Sequence, residues 1–323
     1  MINNIWLNGM MGVVLGDALG MPVQFLSRAD LKKNPVKTME GYGTYNMPPG
    51  TWSDDSSMAL ATLFSLKERG AVDYDDIMKR FVDWWYNGEY TPAGRSFDIG
   101  NTCMGAINEY IRTGDYQKCG KNGERANGNG ALMRIMPMCL YTYEKVSRDE
   151  WTVMKALKQI HQMSALTHNH LRSKMACGIY FFMVCRLIHK NGTLQECLQA
   201  GMDDALQFYC SDISNYTELA HFGRLFQLDE FALCKENEIK STGYVVDSLE
   251  AAVWSLITTS SLEEGLLKAV NLGDDADTVG AIAGGLAALY YSYDSAPEEW
   301  RKQIIKEKEI IALCERMKEM FKE

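Results

Sequence analysis

The sequence predicts an all-α protein folded as one compact multi-helix domain spanning residues 1–323. Three observations carry this. Apolar residues recur at three- and four-residue spacing along nearly the whole chain, the period of an amphipathic helix. The one β-like run, Gly243-Tyr244-Val245-Val246, is too short to imply a sheet. Finally, two similar acidic clusters, Ser53-Asp54-Asp55-Ser56 and Asp275-Ala276-Asp277-Thr278, lie near opposite ends of the chain. If they serve one site, both ends fold together, and no low-complexity linker or fixed-period repeat divides them.

Asn4 to Leu19 opens the chain as an apolar helix with Gly9, Gly12, Gly16 and Gly20 at close to four-residue spacing. Glycine costs helix propensity, so a close packing partner is implied. Asp17 within it is expected to be buried and paired, and Pro22 ends the helix. Ser27 to Trp52 reads as a long loop, and such loops inside compact domains are often functional. It delivers the chain to the first acidic cluster, which heads the apolar pattern from Met58 to Phe64. Asp73 to Tyr86 is amphipathic, with Trp84 and Trp85 expected in the core. Asp98 precedes a helical pattern running to about Ile111, where an N-cap role is the plainest reading.

Gly123 to Gly130 is rich in glycine and asparagine and leads into Ala131-Leu132-Met133-Arg134, read as the start of a helix. Such a loop offers free N–H groups to a phosphate, though it is neither a Walker nor a Rossmann motif. Helices are expected over Asp149 to Leu166, Leu171 to Lys190, Thr193 to Cys210, Tyr216 to Phe226, Glu230 to Glu236, Leu249 to Ile257 and Glu263 to Leu272. His168 and His170 stand between the first two, without a third histidine or cysteine to make a zinc site. Val279 to Leu289, after the second acidic cluster, is apolar all round and rich in small residues, so it is predicted to be central. Ala296 to Glu323 reads as a surface helix pair.

Doubled acids at two helix starts exceed what capping and the helix dipole require. Four carboxylates in one place repel and need a counter-charge. Hard oxygen donors without Cys or His suit Mg²⁺ or Mn²⁺, and a pair of ions is a common device for activating water.

The bulk numbers bound the rest. The chain has 323 residues, 46% hydrophobic and 23% charged, with a net charge of -9. No basic tract stands out, which argues against nucleic-acid binding. The nine cysteines include no CxxC pair, and they read as reduced thiols of a cytoplasmic protein. No signal-like segment opens the chain, and no apolar run reaches the length of a membrane span. With no obvious exposed apolar helix face, a monomer is expected.

Taken together, the motifs resemble those of the ADP-ribosylglycohydrolase family. The matching stretches, in the family's order, are Gly16 to Val23, Thr51 to Ser56, Phe97 to Thr102, Gly128 to Arg134, Thr167-His168, Gly243 to Val246 and Gly273 to Thr278. The resemblance implies an all-α fold around two Mg²⁺ (or Mn²⁺) ions, held by Ser53, Asp54, Asp55, Asp275, Asp277 and Thr278. Asp274 falls where the family often has Gly and is not expected to be a ligand. Asn129 and Gly130 would hold the diphosphate, with Gly100, Arg134 and His168 also on the substrate side and Tyr244 stacked on adenine. Asp98, Asp55 and Gln24 would form the catalytic group.

The implied activity is cleavage at C1″ of the distal ribose through an oxocarbenium-like transition state. ADP-ribosyl-arginine on protein is the expected substrate; another linkage or a small ADP-ribosyl compound is the alternative. Gln24 departs from the family, where a Glu is frequent. An amide can hydrogen-bond but cannot act as a base, which keeps open a weakly active ADP-ribose-binding protein. An all-α terpenoid-type diphosphate enzyme fits poorly, because its acids stand a helical turn apart.

Overall fold

The computed structural model describes residues 4–322, and among these every regular element is helical. Sixteen α-helices follow in order. The first five are α1 (Ile5–Gly20), α2 (Arg28–Lys33), α3 (Asp54–Arg69), α4 (Tyr74–Asn87) and α5 (Asn101–Thr113). Then come α6 (Met136–Ser147), α7 (Val153–Ala165), α8 (Leu171–His189), α9 (Leu194–Tyr209), α10 (Tyr216–Leu219) and α11 (Leu228–Ala232). The last five are α12 (Val245–Ile257), α13 (Leu262–Val270), α14 (Ala276–Tyr291), α15 (Glu298–Gln303) and α16 (Glu307–Met320). Strand-like pairing is limited to two isolated bridges, Lys121 with His168 and Gly128 with Tyr244.

The centre of the fold is the antiparallel pair of α1 and α14. Their glycines face each other so closely that side chains are excluded. A Cβ on Gly16 would lie 1.9 Å from the Gly280 carbonyl oxygen, and one on Gly12 would lie 2.2 Å from that of Gly284. The propensity lost to glycine, about 1 kcal/mol each, is offset by backbone-to-backbone contact along both helices. The same pairing sets Gly20 against Ala276. It therefore brings the C-terminal end of α1 beside the N-terminal end of α14. One continuous apolar core runs from Trp6 to Phe321.

Several boundaries differ from the sequence reading, each for a local reason. The Ser27–Trp52 loop contains α2, because Ser27 caps it by accepting from the Asp30 N–H. Residues 131–135 do not open a helix; Asn129–Ala131 is a single 3-10 turn, and α6 starts at Met136 with a proline in its first turn. α7 starts at Val153, where Thr152 accepts from the Lys155 N–H. α12 starts at Val245, four residues before the expected Leu249. The 216–226 segment is α10 followed by a 3-10 helix. Asn4 caps α1 through its side chain. Met1 to Asn3, and Glu323 at the end of the C-terminal pair, lie outside the described residues. Trp84 is fully buried and Trp85 packs against the core, as expected. All nine cysteines are free thiols; six are buried and Cys210 is exposed. Among the described residues no helix is long and apolar enough to cross a membrane.

Candidate active site

The site forms where the C-terminal end of α1 meets the N-terminal ends of α3, α5 and α14. Asp17, near the end of α1, is fully buried. Its carboxylate accepts from the Ser53 N–H (2.9 and 3.0 Å), the Ser56 N–H (3.0 Å) and the Ser56 hydroxyl (2.6 Å). The glycine-driven pairing of α1 with α14 thus also fixes the start of α3. Burial raises the Asp17 pKa to about 6, against the lowering effect of these bonds.

Capping accounts for only part of the two acidic clusters. Ser53 is the N-cap of α3, and Asp54 and Asp55 occupy its first turn. Asp275 occupies the N-cap position of α14, yet its side chain caps nothing. Its carboxylate instead accepts from the Gln24 amide (3.2 Å) and the Asn129 amide (2.6 Å). The clusters meet at Asp55 Oδ2, which accepts from the Ser53 hydroxyl (3.1 Å) and the Thr278 hydroxyl (3.4 Å). Asp54, Asp55 and Asp277 are all held well above the usual carboxylate range. Burial is the main cause, followed by neighbouring carboxylates: Asp98 and Asp55 for Asp54, Asp17 and Asp275 for Asp55, and Asp55 and Asp98 for Asp277.

The donors match a hard cation in type and in unmet need. Asp55 Oδ1, Asp277 Oδ2 and Gln24 Oε1 are buried oxygens without a hydrogen-bond partner, an arrangement that costs free energy unless something electropositive faces it. As the chain stands, and among the described residues, no three His, Cys, Asp or Glu side chains close on one point as a metal cage. The hydroxyls of Ser53 and Thr278 complete the oxygen set at Asp55.

A cavity of about 610 Å³ opens in front of these groups, lined among others by Gln24, Asp54, Asp98, Asn129, His168 and Thr278. Asp98 does not cap α5; Gly100 stands at the N-cap, on the cavity wall. Asp98 instead holds a left-handed backbone, φ +64°, and accepts a hydrogen bond from the Tyr45 hydroxyl. Burial raises the Asp98 pKa, while the Tyr45 bond opposes the rise. Burial and Asp98 together push the Tyr45 phenol far up, so it stays a donor. Tyr45 was not singled out by the sequence reading. It sits on a loop without periodicity, and its role depends on a contact no local pattern encodes.

The glycine-asparagine loop forms the opposite wall. Asn129 spends its side chain on Asp275 and Ser248 (2.9 Å), and its N–H on the Gly243 carbonyl (3.0 Å). It therefore anchors the loop, and its own donors are not left for a diphosphate. Gly130 needs its bare Cα, since a Cβ would meet Cys103 Sγ at 2.9 Å and His168 Cε1 at 3.0 Å. His168 is buried and kept neutral, its pKa lowered to about 3 by burial and then by Arg134. Its Nδ1 pairs with the Thr167 hydroxyl at 2.8 Å, and Arg134 donates to that same hydroxyl at 3.0 Å. The Nε2 edge of the ring lies beside Gly128.

Two predicted substrate residues stand back from the cavity. Arg134 is fully buried, with its guanidinium on the Gly130 and Met163 carbonyls and over the Phe81 ring. It braces the loop from behind rather than facing a ligand. The Tyr244 hydroxyl accepts from Arg172 (3.1 Å), and its backbone pairs with Gly128. His170 caps α8, accepting from the Arg172 N–H.

Comparison with known proteins places the chain as a whole. The family model for ADP-ribosylglycohydrolase matches residues 6–323. An ADP-ribosylarginine hydrolase, Tri1, from Serratia proteamaculans is 31% identical over 308 residues, covering 95% of this chain and 77% of its own. The ADP-ribosyl-[dinitrogen reductase] glycohydrolase of Rhodospirillum rubrum is 30% identical over 301 residues, covering 92% and 89%. A solved structure described as an ADP-ribosylglycohydrolase-related protein complex superposes with a TM-score of 0.79 at 30% identity, over 99% of this chain and 98% of that one. The chain belongs to the ADP-ribosylglycohydrolase family, whose members hydrolyse ADP-ribosyl linkages.

Proposed function

We propose that the protein is a Mg²⁺-dependent hydrolase that releases ADP-ribose from ADP-ribosylated arginine on protein, with Mn²⁺ able to substitute. The observation that carries this is the meeting of the two acidic clusters at Asp55, with unpartnered buried oxygens, beside Asp98. The arginine linkage is supported by the name of the Serratia proteamaculans relative at 31% identity, and a protein-borne substrate by that of the Rhodospirillum rubrum relative.

Ser53, Asp54, Asp55, Asp275, Asp277 and Thr278 would hold two ions. When bound, these supply Lewis acidity that orients the ribose hydroxyls and lowers the pKa of water. The remaining work falls to the chain. Asp98, aimed by Tyr45, binds the guanidinium; as the C1″–N bond breaks it gives a proton to the leaving nitrogen, and the water whose oxygen bonds to C1″ gives up the proton that replaces it. Gln24 holds Asp275 through Nε2 and offers Oε1 to a ribose hydroxyl or water. Gly128, Gly130 and His168 face the diphosphate, and Gly100 lies on the wall beside it.

The test is ADP-ribose release from arginine-ADP-ribosylated protein, with Mg²⁺ and with chelator, for wild type and Asp55→Ala. Release that needs Mg²⁺ and is lost in the variant supports the proposal. ADP-ribose binding by calorimetry, without release from any linkage or small ADP-ribosyl compound, would favour the second reading. That reading, a binding protein with little turnover, is motivated by the amide at Gln24.

A further inference from the structure

Two residues at the cavity mouth hold left-handed backbone that bulky side chains seldom adopt. Phe25 has φ +67° and Asp274 has φ +56°. They hold each other: the Phe25 N–H donates to the Asp274 carbonyl (2.6 Å), and the Asp274 N–H donates to the Leu26 carbonyl (2.9 Å). Gly273, at φ +77°, completes the contact, since a Cβ there would lie 2.7 Å from the Leu26 carbonyl oxygen. The clasp keeps Gln24 beside Asp275. It does not require phenylalanine: glycine or asparagine takes this conformation at lower cost.

Nor is the ring there for the core. Phe25 is 66% exposed, Leu26 41% and Tyr42 67%. Tyr42 lies on a loop tied to the same segment, for the Thr44 N–H donates to the Pro22 carbonyl (2.9 Å) and the Thr44 hydroxyl to the Gln24 carbonyl (2.6 Å). Single exposed apolar side chains are ordinary. Three on two segments tied together beside the cavity, two of them, Phe25 and Tyr42 (φ +60°), on left-handed backbone, point to a surface that is covered in use.

The position of the rim selects the occupant. The phosphate-facing wall is formed by Gly128, Gly130 and His168, whereas Phe25 directly follows Gln24, at the acidic end beside the scissile bond. On the proposed function, what continues outward from that end is the polypeptide carrying the arginine. A polypeptide offers aliphatic stems and peptide planes, which exposed aromatic rings cover well. We infer that Phe25, Leu26 and Tyr42 form a docking rim for residues flanking the ADP-ribosylated arginine, and that this rim sets the preference for protein over free ADP-ribosyl-arginine. The inference rests on the function proposed above.

The experiment compares kcat/KM on an arginine-ADP-ribosylated protein and on ADP-ribosyl-arginine, for wild type, Phe25→Asn, Phe25→Tyr and Tyr42→Ser. Asparagine tolerates the backbone at 25, so the clasp is kept. Phe25→Asn is expected to lose about tenfold on the protein substrate, through KM, and less than about twofold on the small one, with Phe25→Tyr restoring the value. Equal losses on both substrates would assign the ring to ADP-ribose itself or to Gln24, and no loss on either would remove the rim; each overturns the inference while leaving the hydrolase intact. Wild type inactive on both substrates would instead refute the proposed function and take the inference with it.

Discussion

The Thr278 hydroxyl donates to Asp55 Oδ2 at 3.4 Å, joining the N-terminal turn of α14 to that of α3. This contact makes one site of two acidic clusters that lie near opposite ends of the chain. It exists because Gly12 and Gly16 let α1 lie against Gly284 and Gly280, and because Asp17 then holds Ser53 and Ser56.

Asp55→Asn separates stability from function. Burial and like charge hold Asp55 well above its usual range, so the charged form burdens the metal-free fold. The variant should melt a few degrees higher in chelator and lose at least about a hundredfold in activity with Mg²⁺. Paired thermal melts and ADP-ribose release check this; a variant that melts lower in chelator speaks against crowded charge at Asp55.

Gln24→Glu should do the reverse. The Nε2 bond to Asp275 (3.2 Å) becomes a contact between carboxylates. Melting in chelator should fall by a few degrees, and added Mg²⁺ should raise it by more than in wild type. Differential scanning fluorimetry over a Mg²⁺ series reads both effects.

Tyr45→Phe removes the hydroxyl that aims Asp98. A bond to a charged acceptor contributes about 1.5–3 kcal/mol, so kcat/KM should fall by at least about tenfold with ADP-ribose affinity little changed. An equal loss of affinity, measured by calorimetry, would place Tyr45 in ligand binding instead.

Much of this site was legible in the sequence. Doubled acids before apolar helices located both clusters, and four-residue glycine spacing foretold the close packing of α1. Adjacency to the Gly-Asn-Gly loop does not say which side of the loop Arg134 takes. It lies behind, on the Gly130 carbonyl. Asp98 looked like a cap because it precedes a helix, yet its positive φ turns it toward Tyr45. Residues joined only through irregular loops leave no periodic trace.

Arg134→Met tests the bracing role. Removing a buried donor that holds the Gly130 and Met163 carbonyls and Thr167 should destabilise the fold by about 1–3 kcal/mol. It should also weaken ADP-ribose binding through the displaced loop. Urea denaturation and calorimetry measure the two; unchanged affinity would show the loop standing without it.

A pH effect follows from His161, whose pKa burial lowers from 6.5 to about 4. A histidine depressed in the folded state contributes stability that is present above its unfolded pKa and lost as pH falls through its folded one. Melting temperature should therefore decline between pH 6.5 and 4, and more gently in His161→Gln. His161 also pairs with the Tyr209 hydroxyl at 2.7 Å, so the slope rather than the absolute melting temperature is the readout.

The central claim is that the clusters at α3 and α14 form a single metal centre. The most direct test is an anomalous difference map from crystals of the protein grown with Mn²⁺. Peaks bounded by Asp54, Asp55, Asp275 and Asp277, with Ser53 and Thr278 in contact, are predicted. A map without peaks there at saturating Mn²⁺, or with the metal bound only elsewhere, would contradict it.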